Sequence, residues 1–157
     1  MKLGDWLRRW EMTGLRVQPA FLEQEWAPRD KDKDAAWALY VELLTRFTPQ
    51  PFEQAYGDEA AALESIHSLF PITRQLIKEQ GRECAAFTKI AVVVLNQLVR
   101  PFIAKWHAVS LNGGFEQPAM CEQFRSELEP LQQSLRRFAR MLSDMAEVED
   151  LTALEAA

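Results

Sequence analysis

Apolar residues along this chain recur with helical spacing, in segments separated by Gly, Pro and charged stretches. In Leu3 to Glu11, the positions Leu3, Trp6, Leu7 and Trp10 follow the i, i+3, i+4, i+7 rule, and Arg8, Arg9 and Glu11 fall elsewhere. This predicts a short amphipathic helix, stopped at Thr13-Gly14. Leu15 to Pro28 reads as irregular, with a turn of helix from Pro19 to Trp26 because proline suits a first helical position. Asp30 or Asp32 is placed to cap a helix running to about Phe47, with Trp37, Tyr40, Val41, Leu44 and Phe47 or Thr48 as its apolar stripe. Thr48-Pro49-Gln50-Pro51 ends it and a loop follows to Gly57, since a residue before proline avoids helical dihedrals.

A third helix is expected from Asp58 to Gln80, with Leu63, Ile66, Phe70 and Ile77 on one side and Leu69, Ile72 and Leu76 widening it. Pro71 should kink or split it after Phe70, and Gly81 should stop it. Arg82 to about His107 reads as a long helix. Ile90 to Leu95 is apolar all round, the signature of a central buried helix, and Pro101 should bend it or end it early. After a turn at Asn112-Gly113-Gly114 comes the cleanest pattern in the chain. Met120, Phe124, Leu128, Leu131, Leu135, Phe138, Leu142 and Met145 follow one another in steps of three and four, a near-heptad seam. Pro130 should kink that helix locally. No segment alternates with period two beyond a few residues near Leu15 to Val17. The reading is a single all-α domain over residues 1–157: a bundle of about four main helices, a short N-terminal helix and irregular segment over 1–28, and an acidic tail over 147–157 that should fray.

Composition narrows the class. The chain has 157 residues, 48% hydrophobic and 26% charged, which is globular rather than disordered. Its net charge of −5 argues against a general nucleic-acid binder, whose affinity comes from neutralising phosphates. Cys84 and Cys121 lack CxxC spacing and are expected as reduced, buried thiols. Charges interrupt the stretch where a signal peptide would need its apolar run, and Lys89, Asn96 and Gln97 interrupt the most apolar segment, so neither a leader nor a membrane span is expected and the location read is cytoplasmic.

Motifs for chemistry are sparse. Glu64-Ser65-Ile66-His67 has the Glu-x-x-His spacing of carboxylate-bridged metal bundles. That chemistry needs a second pair, and the only other histidine, His107, has Ala104 at the matching position. The expectation is no metal and no cofactor. Asn112-Gly113-Gly114 lacks the strand before and the Lys-Ser/Thr after that a phosphate loop needs. There is no Gly-x-Ser-x-Gly elbow, and Glu127 and Glu129 project from different faces of one helix. The enzyme reading therefore leans to no, and no catalytic residue is assigned.

Three patterns remain. Lys89, Asn96, Arg100 and His107 share a face of the long helix. The expected arrangement is internal, with Arg100 paired to a carboxylate of a neighbouring helix; the alternatives are an anion or small-ligand pocket lined by Asn96, Arg100 and His107, and plain solvent exposure. Of five tryptophans, Trp37 and Trp106 are expected in the core or at its edge. The N-terminal helix is expected to fold onto its own bundle, with Trp6, Trp10 and Trp26 as candidates for a partner or self-association surface, or, through that helix, for a membrane surface, though membrane contact is disfavoured. Arg125, Arg136, Arg137 and Arg140 alternate with carboxylates on the last helix, as a solvated, salt-bridged face does. The resulting expectation is a cytosolic, non-enzymatic helical interaction module with a protein partner or a second copy of itself. An adaptor, accessory or regulatory subunit has this character, as would a small component of a bacterial toxin–antitoxin or antiviral defence system, although no residue singles out that context.

Overall fold

The computed structural model describes residues 1–12, 14–46 and 58–155. The expected stop at Thr48-Pro49-Gln50-Pro51 and the loop to Gly57 lie outside them, as do Phe47 and the role of Thr13. Eight α-helices are described: α1 Leu3–Arg9, α2 Pro19–Leu22, α3 Asp30–Arg46, α4 Glu59–His67, α5 Leu69–Gln80, α6 Ala85–Val94, α7 Arg100–Leu111 and α8 Pro118–Ala146. A 3-10 turn, Gly81–Cys84, precedes α6, and a second, Gly114–Glu116, precedes α8. No strand is formed among the described residues; one isolated antiparallel bridge joins Lys2 to Glu25. The chain is all-α.

The hub of the bundle is α3, which packs on α5, α6 and above all α8. The expected stripe on α3 is corrected here. Its buried face is Ala35, Ala36, Leu39, Tyr40 and Leu43, and Trp37 is 48% exposed. Two stripes of helical period coexist on α3. The one carrying two alanines wins because small residues let the hub helix approach several neighbours closely, which an indole at position 37 would prevent. The long helix after Gly81 is accordingly not the enclosed centre. Ile90, Ala91 and Val94 are buried, but Val92 is 43% exposed and Val93 half-buried. By length and composition alone, the helical run Glu59–Leu111 includes a window apolar enough to cross a membrane, of mean hydropathy 1.4, with 33% of it buried here.

The prolines act locally. The break between α4 and α5 falls at Ser68, three residues before Pro71, because the ring of Pro71 clashes with and withholds a donor from the carbonyl four residues back, that of His67. Pro101 neither ends nor splits its helix. A π-turn at Leu95–Val99, in which the Arg100 N–H donates to the Leu95 carbonyl five residues back, carries the chain into α7. α8 runs unbroken through Pro130, on its solvent side.

The seam of α8 is internal. Phe124, Leu128, Leu131, Leu135, Phe138, Leu142 and Met145 are buried against the bundle, with Met120 half-buried at one end. A smaller aromatic cluster of Phe102, Trp106, Phe115 and Phe124 closes that end. Gly114 sits there against Val109, where an added Cβ would lie 2.2 Å from a valine methyl, so only glycine fits.

α1 and α8 both end on a glutamate in the left-handed region, Glu11 at φ 57° and Glu147 at φ 58°. Each ending is a Schellman motif: Glu11 N–H donates to Arg8 O and Met12 N–H to Leu7 O, and Glu147 N–H donates to Asp144 O and Val148 N–H to Ser143 O. α1 therefore stops before Gly14. The tail turns back instead of fraying at once. The Leu151 N–H donates to the Tyr40 hydroxyl at 2.6 Å, and Asp150 pairs with Arg140 at 3.2 Å.

Candidate functional site: an apolar groove and a cationic cleft flanking α6

α1 folds onto its own bundle and buries its apolar face there. Leu3, Trp6 and Leu7 are buried, and the Trp6 indole donates to Asp144 Oδ2 of α8 at 2.8 Å. Each such side chain gains about 1.5–3 kcal/mol from burial. The Trp6 and Trp26 rings stack at 4.3 Å. Trp10 is half-buried beneath the Arg140 guanidinium, 5.6 Å from its ring. As surface candidates, Trp6 is thus withdrawn into the core at 1% exposure, while Trp10 and Trp26 keep part of an edge outside. The apolar face of α1 is turned inward, onto the bundle.

Asn96, Arg100 and His107 are all exposed. The expected buried ion pair of Arg100 is corrected: its guanidinium donates to the Asn96 carboxamide oxygen at 3.0 and 3.2 Å and lies 4.7 Å from the Phe70 ring. Asn96 and Arg100 thus stay side by side across the π-turn at Leu95–Val99. Glu64 and His67 both face solvent, and no group of three metal-ligating side chains forms among the described residues. Of the thiols, Cys84 is buried and Cys121 half-buried; burial, with the nearby Glu59 carboxylate, raises the pKa of Cys121. On α8, Arg125 is half-buried and pairs with Glu59 of α4 at 2.5 Å, so this arginine belongs to the packing rather than to a solvated face.

What sequence reasoning missed lies on the outer side of α6. Residues 15–21 cross over it and leave an open groove of about 400 Å³. Leu3, Leu7 and Ile90 form the floor. Leu15, Val17 and Phe21 make one wall, and Val92 and Val93 the other. Arg16 and Lys89 sit on its rim, and no carboxylate lines it, on a chain with a net charge of −5. The crossing segment is held by Gln97 of the π-turn. The Arg16 N–H donates to Gln97 Oε1, and Gln97 Nε2 donates to the Arg16 carbonyl, both at 2.7 Å. A signal was present in the sequence: Val92 and Val93 extend an apolar run beyond what one buried helix face can use.

On the other side of Lys89 a smaller cleft of about 260 Å³ opens between residues 24–29 and the start of α6, lined by Arg29, Arg82 and Lys89 together with Glu25, Glu83 and Asp32. The Asp32 carboxylate is buried and already engaged, accepting the Arg29 N–H at 2.7 Å and the Phe87 N–H at 2.8 Å. Comparison of the chain with family models, curated proteins and solved structures gives no match.

Proposed function

We propose that this protein is a non-enzymatic interaction module whose groove beside α6 receives an acidic amphipathic helix of a protein partner. The observation that carries the reading is the pairing of exposed apolar walls with a rim whose charged side chains, Arg16 and Lys89, are both cations. Phe21 and Val92 remain 41% and 43% exposed at the groove mouth. Large apolar side chains left in water at one place mark a surface that another molecule covers. Helix-in-groove recognition uses apolar anchors one helical turn apart, and the groove has the volume for two or three of them. Arg16 and Lys89 select the charge of the flanking residues, because like-charged partners are repelled and opposite ones steered in. The clamp from Gln97 to the peptide of Arg16 holds one wall in place before binding, which lowers the ordering cost of association.

The test is site-specific photo-crosslinking in the native host. A photoreactive phenylalanine analogue replaces Phe21, and the crosslinked peptide is sequenced. The expected adduct is a protein segment with apolar residues at helical spacing flanked by Asp and Glu, lost when Arg16→Glu and Lys89→Glu are combined. Adducts formed only with lipid, adducts only with a second copy of this chain, or adducts unaffected by charge reversal would each overturn the reading.

A further inference from the structure

We infer that the cleft between residues 24–29 and the start of α6 binds a small dianion carrying a phosphoryl group. This does not rest on the groove's occupant. Arg29, Arg82 and Lys89 converge on the cleft. Neither guanidinium has a hydrogen-bond or ion-pair partner among the described residues, and the Lys89 ammonium donates only to the neutral Gln24 carboxamide, at 2.8 Å. Three carboxylates line the cleft as well, and two of them are engaged elsewhere. Glu25 is paired with the amino group of Met1 at 2.7 Å, and Asp32 is taken up by two backbone N–H groups. Glu83 is the one lining carboxylate without a partner among the described residues.

With the Met1 amino group that pairs with Glu25, four cations stand against three carboxylates, a local sum of one positive charge on an acidic protein, and Arg29 and Arg82 are the cations left without a partner among the described residues. The N-terminus of α6 is not the anchor, because Asp32 already occupies its Phe87 N–H. The guanidiniums are. Two arginine forks match the oxygens of a phosphoryl group, and such charge-assisted bonds are about twice as strong as neutral ones. The size of the cleft selects a small ligand, since drug-sized ligands need pockets of roughly 300 Å³ or more. A long polyanion is disfavoured by the overall negative charge. Trp26, stacked on Trp6, gives the cleft a fixed wall.

Calorimetric titration of the full chain with inorganic phosphate and, separately, with glycerol 3-phosphate tests this, with succinate as the carboxylate control. Saturable millimolar or tighter binding of at least one phosphate is expected. Arg29→Gln and Arg82→Gln should each weaken it by roughly tenfold, and Glu83→Gln should tighten it. Both arginines are exposed, so the variants should melt like the wild type. Tighter binding of glycerol 3-phosphate identifies an organic phosphate as the ligand class, and the reverse identifies the free ion. No saturable binding of either, equal affinity for succinate, or binding indifferent to the two arginine changes would overturn the assignment.

Discussion

The carboxylate of Asp32 on α3 accepts the backbone N–H of Phe87 on α6 at 2.8 Å, across 55 residues of chain. Its other oxygen accepts the Arg29 N–H at 2.7 Å. One buried side chain therefore caps the start of the hub helix and fixes the helix that separates the two candidate surfaces. Capping alone was legible from an aspartate at a helix start. The second bond was not, because it joins backbone and side chain from distant segments.

Replacing Asp32 tests how far both surfaces depend on it. Hydrogen bonds to a charged group contribute about 1.5–3 kcal/mol each, so Asp32→Ala should destabilise the fold by about 3 kcal/mol. In a chain of this size that lowers the melting temperature by roughly 6–12 °C. Hydrogen exchange at the Phe87 amide should accelerate beyond what the global loss explains. A variant that melts within a degree or two of wild type would show that the two bonds are not formed in solution.

The two left-handed glutamates make a prediction of opposite sign. A side chain in that region costs about 1–2 kcal/mol, and glycine avoids the cost at some entropic loss in the unfolded chain. Glu11→Gly and Glu147→Gly should therefore each stabilise by about 0.5–1 kcal/mol, read as a rise of a few degrees in melting temperature. The ion pairs lost are exposed ones, Arg137–Glu11 at 3.8 Å and Lys33–Glu147 at 3.0 Å, and contribute little. A fall in melting temperature for both variants would contradict the Schellman endings.

Tyr40 links stability to alkaline pH. Burial raises the pKa of its phenol above the ordinary tyrosine value, partly opposed by the Leu151 N–H that it accepts. An acid whose pKa is raised on folding keeps its proton in the folded state after the unfolded chain has lost it. Stability should thus be undiminished below about pH 10 and fall as the pH rises past that value. Tyr40→Phe should remove this decline, cost about 1 kcal/mol at neutral pH and speed amide exchange at Leu151. Chemical denaturation at neutral pH and above pH 10 checks it. An alkaline loss of equal size in the variant would assign the effect to other groups.

Sequence alone determined the helical class and the two most periodic faces, the α8 seam and the Leu3, Trp6 and Leu7 face of α1. A helix of period 3.6 writes its buried side directly into residue spacing, so these faces are local properties. Tertiary structure decided everything that depends on competition between faces or on meeting partners. On α3, two stripes had the same period, and the need of a hub helix for close neighbours chose the alanines over Trp37. On the long helix, packing left the side of Asn96, Arg100 and His107 exposed, with Arg100 bonded to Asn96 instead of to a carboxylate of a neighbouring helix. The helix endings escaped because they use glutamates where glycine would be expected, held by hydrogen bonds to earlier carbonyls. The groove and the cleft exist only because residues 15–29 cross α6, and a surface made by two segments meeting has no period of its own for the sequence to display.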